Sequence, residues 1–236
     1  MERPEGRSVY YGLFFLGEIM TIKNILKDKN RIFIAIIVLT AACVIAIGAF
    51  WALRRGPVAG IEIAPGTEWV CGNPVYYRQN DEEWKSERMG TAADTLGGSG
   101  CLVTCLAASM EMQKGAVEAG YRMTPGELNR ELSENQVYDD RANVLWNPLR
   151  EYLTEWTVLT PSKADGAEIE RMLNDGHFPI VKVRMPRSGA NHWVMLVEAR
   201  GGEYYCMDPL HGEGEMVPLS EFGNVVYSVR SICYNG

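Results

Sequence analysis

Hydrophobic positions along the chain follow three successive patterns. From Ile32 to Leu53 they run almost without a break, as IFIAIIVLTAACVIAIGAFWAL, with no charge and no proline. At the helical rise this stretch would span roughly 33 Å, the thickness of a bilayer core. Arg55 to Glu68 is rich in Gly and Pro and reads as a linker, and residues 75–79 read as a short extended segment. Helical patterning follows. A Gly-rich loop, Leu96-Gly97-Gly98-Ser99-Gly100, leads into a helix from Cys101 to Lys114, with Gly115 as its stop. Thr124-Pro125-Gly126-Glu127 has the residues of a capping box with proline at the first helical position. Further helices are expected over Pro148–Glu155 and Ala164–Asn174, the latter stopped by Gly176. From Phe178 onward the pattern changes to strands: Phe178–Met185, Trp193–Ala199, Glu203–Met207 and Val225–Tyr234, with Arg200-Gly201-Gly202 as a hairpin turn. Helices first and an antiparallel sheet afterwards define an α+β protein.

Charge orients the N-terminal run. Lys23, Lys27, Lys29 and Arg31 precede it, and only Arg54 and Arg55 follow. This places residues 1–31 in the cytoplasm, a transmembrane helix at 32–53 and the bulk of the chain outside. The other reading is a cleaved signal peptide and a secreted domain, but the run is longer than a usual signal core and no small-residue cleavage site stands near its end. Ser8–Met20 is apolar but too short to span, and Met20 opens the basic stretch, so Met20 is expected to be the natural start. Residues 56–236 carry fifteen Lys/Arg against twenty-six Asp/Glu, a net charge of −11. Such a domain repels phosphate backbones, which argues against nucleic acid as a partner, and it would attract a cationic peptide.

Of the six cysteines, Cys43 lies in the hydrophobic run; Cys71, Cys101, Cys105, Cys206 and Cys233 lie beyond it. An odd number there leaves at least one thiol free unless it pairs between chains. Cys101 is the candidate. It follows Gly-Ser-Gly at a helix start, where unpaired amides and the macrodipole favour a thiolate. Cys105, one turn later, is expected to be buried. His192 begins a strand and Asp208 ends the next, so a turn at Arg200-Gly201-Gly202 brings the two close. A carboxylate so placed can hold an imidazole in the tautomer that accepts a thiol proton. Taken alone, the pair reads as a surface histidine and a turn aspartate before Pro209. Gln79 has a side-chain amide able to donate to an oxyanion, as does the Cys101 backbone amide. Cys206, Asp208 and His211 form a cluster with metal-ligating chemistry, but no further Cys/His pair completes it, and neither metal nor cofactor is expected.

The order Gln79, Gly100-Cys101 with Thr104 and Ala107-Ala108, Thr124-Pro125, Gly176 to Pro179, His192-Trp193, Asp208-Pro209 resembles the papain-like cysteine peptidases. Trp84, near Gln79, adds to the likeness. More closely the chain is similar to the stand-alone relatives of the bacteriocin-processing, double-glycine-leader peptidases, family thirty-nine of that class. The likeness covers about residues 70–235. It implies a papain-like fold over 71–236, with a helical N-terminal half and a sheet in the C-terminal half, after a linker at 54–70. It further implies Cys101 as nucleophile, His192 as general base, Asp208 orienting His192, and Gln79 supporting the oxyanion hole, with a peptide or protein as substrate. Two alternatives stay open: an inactive papain-like module that binds peptides or a membrane partner, and a cell-wall amidase or endopeptidase, although the Asp-Cys-Ser typical of the latter is absent.

Overall fold

The computed structural model describes residues 33–34, 36–47, 59–211 and 214–236. Residues 33–34 and 36–47 are helical, and their apolar side chains are exposed. Among the described residues no helix is long and apolar enough to cross a membrane. Positions 32, 35 and 48–53 of the expected span, the segment 1–31 and the expected start at Met20 lie outside the described residues. Ala59–Gly236 forms a compact unit of its own.

That unit has a mixed α+β architecture. Its sheet is antiparallel, with strand order β3-β9-β4-β5-β6-β7 and β2 paired to the far end of β5. The strands are β2 (Trp69–Val70), β3 (Trp156–Leu159), β4 (Ile180–Arg184), β5 (Asn191–Arg200), β6 (Glu203–Met207), β7 (Val217–Pro218) and β9 (Ser228–Tyr234). A separate two-stranded ladder joins β1 (Ile61–Glu62) to β8 (Val225–Val226). The helices are α1 (Leu96–Ser99), α2 (Cys101–Met112), α3 (Lys114–Glu118), α4 (Pro125–Glu134), α5 (Trp146–Tyr152) and α6 (Gly166–Asn174).

The sheet alternates apolar side chains to both of its faces, so each face needs a cover. Ile180, Met195, Val197 and Ile232 pack with Leu102, Val103, Leu106, Ala107 and Met110 of α2. Val181, Val194, Leu196 and Val229 pack on the other side with Ile169, Met172 and Leu173 of α6. Helix α2 is buried along nearly its whole length, which its low polarity allows. Helix α6 is covered on one stripe only, and Asp165 caps it by accepting from the Ala167 amide at 3.0 Å. The expected capping box of α4 is present: Thr124 Oγ1 accepts from Glu127 N at 3.3 Å, and Glu127 Oε2 accepts from Thr124 N at 2.8 Å.

Several expectations require correction. The Gly-rich loop 96–100 is a helical turn, α1. Gly115 does not stop the helix: α2 breaks at Gln113, and Gly115 sits inside α3. The break is held by the Gln113 side chain, which donates to Ile232 O at 2.9 Å and accepts from Tyr234 N at 2.8 Å. Those tertiary bonds replace helical ones. At 115 a Cβ would lie 3.3 Å from Tyr234 Cδ1, a tight contact to which the ring would have to yield. Residues 75–79 form no strand, and Gln79 stands in a turn. The strand expected over 225–234 divides at Tyr227 into β8 and β9. Within the segment expected as a linker, Glu170 accepts from Gly66 N at 3.0 Å and from Thr67 Oγ1 at 2.9 Å, and Ile63 is buried beside α6.

Candidate active site

Four elements converge on one cleft of about 570 Å³. It is lined by Cys101, His192 and Gln79 among others. Cys101 opens α2 directly after Gly100. A Cβ at Gly100 would lie 2.4 Å from Leu96 O, so any larger residue would displace the turn that delivers the thiol. The Gly100 amide is bonded to Leu96 O at 2.8 Å.

His192, the second residue of β5, is 3% exposed, and its Nε2 lies 2.6 Å from Asp208 Oδ1. The Asp208 side chain is 8% exposed. Asp208 also accepts from Leu210 N at 2.8 Å, which fixes the carboxylate after β6 ends. The other ring nitrogen of His192 is free of Asp208, and Cys101 lines the same cleft. Burial pushes the His192 pKa down, but the Asp208 hydrogen bond and the Cys101 thiol outweigh it and hold the value at about 9. The imidazolium is therefore favoured at neutral pH.

A β-bulge decides this pairing. From the turn, Arg200 faces Glu203 and Ala199 faces Tyr204, and both residues of the turn, Gly201 and Gly202, have positive φ as a two-residue hairpin requires. The register shifts between Leu196 and Glu198, so that Met195 faces Met207. Continued one step, Asp208 faces Val194. Without the shift it would face Met195, on the opposite side of the sheet from His192.

Gln79 is 3% exposed. Its amide N–H donates to Pro209 O at 3.0 Å, tying its turn to the Asp208-Pro209 loop. Its Nε2 donates to Gly97 O at 2.9 Å, tying the same turn to α1. Trp84 Nε1 donates to Arg78 O at 2.8 Å and shapes the turn from inside. The Gln79 Oε1 atom is buried with no partner. One Nε2 proton remains for a ligand in the cleft.

The remaining thiols do not line the cleft. All six cysteines are free. Cys105 is fully buried, with Sγ 3.6 Å from Trp193 O, and burial pushes its pKa well up. Burial does the same to Cys206, and to a smaller degree to Cys71 and Cys233. Among the described residues no group of three His, Cys, Asp or Glu is arranged to hold a metal ion. Sequence reasoning did not find Lys182, Arg230 and Trp146, which also line the cleft. The half-buried Lys182 within an otherwise apolar strand, Ile180–Val183, was the available signal.

No family model matches the chain, and no curated protein does. Among solved structures the chain is similar to one described as a "putative C39-like peptidase from Bacillus anthracis", at 16% identity and a TM-score of 0.46. The match covers 71% of this chain and 98% of that one.

Proposed function

We propose that the protein is a cysteine peptidase, with Cys101 as nucleophile, His192 as general base and acid, Asp208 as the residue that positions His192, and Gln79 as an oxyanion donor. The supporting observation is that His192 lies 2.6 Å from the Asp208 carboxylate and lines one cleft with the Cys101 thiol. Asp208 occupies Nε2 and leaves Nδ1 for the thiol. Cys101 Sγ attacks the scissile carbonyl carbon as its proton resides on His192. The carbonyl π-electrons move to oxygen, where Gln79 Nε2 and the Cys101 amide donate. Collapse expels the amine, which takes the proton from His192, and leaves a thioester. Water then loses a proton to His192 and attacks the thioester. The acid is released, and the proton returns to sulfur.

A thiol-directed activity probe tests the reading. It should label the wild-type protein at position 101 and leave Cys101→Ala unlabelled; equal labelling of that site's tryptic peptide region in both proteins sinks it. Peptides and muropeptides offered to the same two proteins separate peptidase from cell-wall hydrolase. If neither is cut while peptides bind, the inactive module is correct. The location belongs to the same proposal: residues 32–53 anchor the chain, with residues 1–31 cytoplasmic and the peptidase domain outside. Its support is the uncharged run with its basic upstream flank. Protease added to intact cells should remove residues 56–236, and full protection would overturn that topology.

A further inference from the structure

The cleft contains a second set of polar groups that the mechanism above does not use. Lys182 in β4 and Trp193 in β5 are cross-strand partners, and Lys182 Nζ lies 5.0 Å from the Trp193 ring centroid. Arg230 in β9 faces Ile180, two residues from Lys182, so both cations project from the same face of adjacent strands. The Arg230 guanidinium lies 4.9 Å from the Trp146 ring and 5.9 Å from the Trp193 ring. All four residues line the cleft beside Cys101. The aromatic walls hold the cations apart from bulk water and leave their hydrogen-bond donors directed elsewhere.

Among the described residues neither cation has a carboxylate partner. Arg230 Nε is buried without any hydrogen-bond partner, and Nη1 reaches only the Pro161 and Val229 carbonyls. Burial lowers the pKa of both groups. Arg230 lowers that of Lys182 further, and Arg150 that of Arg230, whereas Cys101 acts in the opposite sense on Lys182. Two adjacent, half-desolvated cations are unfavourable until an anion completes them. The rest of the domain has carboxylates in excess, yet none is placed here. An anion arriving with the substrate fits this gap.

We propose that Lys182 and Arg230 bind a carboxylate of the peptide substrate, so that the enzyme selects anionic peptides. This rests on the peptidase reading above. It also reverses, at the cleft, what the net charge of the domain implies about a cationic partner. The carboxylate belongs either to an Asp or Glu side chain or to a free C-terminus.

Two measurements on the full chain test the proposal. In the first, alkylation of Cys101 by anionic iodoacetate and by neutral iodoacetamide is followed by mass spectrometry of the peptide that contains it. The iodoacetate-to-iodoacetamide rate ratio should fall about 10-fold or more in Lys182→Met and in Arg230→Gln. In the second, peptide sets carrying Glu, Gln or Lys at each position are compared, with free and with amidated C-termini. Wild type should favour either Glu over Gln at one position or a free over an amidated C-terminus, by about 10–100-fold in kcat/KM, and each variant should shrink that ratio. Lys182→Glu should turn the preference toward Lys, a gain that misfolding does not mimic. A Glu preference identifies the side chain as the bound group; a loss on amidation with no Glu preference identifies the C-terminus. An unchanged alkylation ratio, or variant peptide rates that fall with neither the Glu/Gln nor the free/amidated ratio changed, overturns the proposal and leaves the cations acting on the thiol. Failure of the wild-type Cys101 to react faster with either reagent than an exposed cysteine overturns the peptidase reading instead.

Discussion

His192 with Asp208, and Lys182 with Arg230, are two pairs of ionisable residues on the same sheet that have been finished differently. In the first pair the charges answer each other across 2.6 Å, and both side chains are almost wholly buried. In the second pair the charges have one sign, stay half-buried and meet tryptophan faces and not carboxylates. A buried charge completed by the protein is positioned for a role within the protein; a cleft-lining charge left incomplete is positioned for a ligand. On the proposed reading, the contrast separates chemistry from selection within one cleft.

The largest way to break the comparison is to remove the group that the first pair serves. Cys101→Ala should abolish peptide hydrolysis, a loss of about 10³-fold or more in kcat, with a melting temperature close to wild type. Asp208→Asn tests whether the first pair is complete in itself. Hydrolysis should fall by about 10²–10⁴-fold, and the His192 ring, followed by NMR, should titrate below the wild-type value of about 9. The same pair gives a pH dependence of stability. The His192 pKa is raised above its ordinary 6.5 to about 9, so the native state binds this proton more tightly than the unfolded chain. Its stabilisation is full below pH 6.5 and is lost as pH rises through about 9. The loss is on the order of 3 kcal/mol and should shrink in Asp208→Asn, where only the Cys101 contribution remains, as measured by urea unfolding across that range.

Gln79→Ala sharpens the contrast from the oxyanion side. A loss of about 10²-fold in kcat, with KM little changed, is expected for a donor used only in the transition state. A rise in KM alone would move Gln79 to substrate binding. The smallest effect lies outside both pairs. Thr124→Ala removes one half of the α4 capping box and should lower stability by about 1 kcal/mol in urea unfolding while kcat/KM stays the same.

Legibility in the sequence varied with the range of the interaction. The α4 cap was legible because Thr124, Pro125 and Glu127 meet within one turn, and the β5–β6 hairpin because Gly201-Gly202 sets a two-residue turn by itself. Gln113 was not legible: its helix break depends on Ile232 and Tyr234, more than a hundred residues away. The strands β2, β3 and β7 were missed because each is only two to four residues long, too short for alternation to register. The need for glycine at 100 was not legible either, since the clash that forbids a side chain is with Leu96 O, in a helical turn that its Gly-rich sequence does not announce.

By itself, the sequence determined the α+β succession, the thiol, the histidine and the carboxylate as candidates, and the hairpin that joins the last two. These depend on contacts between near neighbours, whose geometry residue type dictates. Tertiary structure alone decided which face each candidate occupies. The bulge between Leu196 and Glu198 turns Asp208 to the side of His192, and no residue there announces it, because a register shift is an outcome of packing both faces of the sheet at once. Strand order likewise put Lys182 and Arg230 on neighbouring strands, bringing together two like charges that stand 48 positions apart in the numbering of the chain.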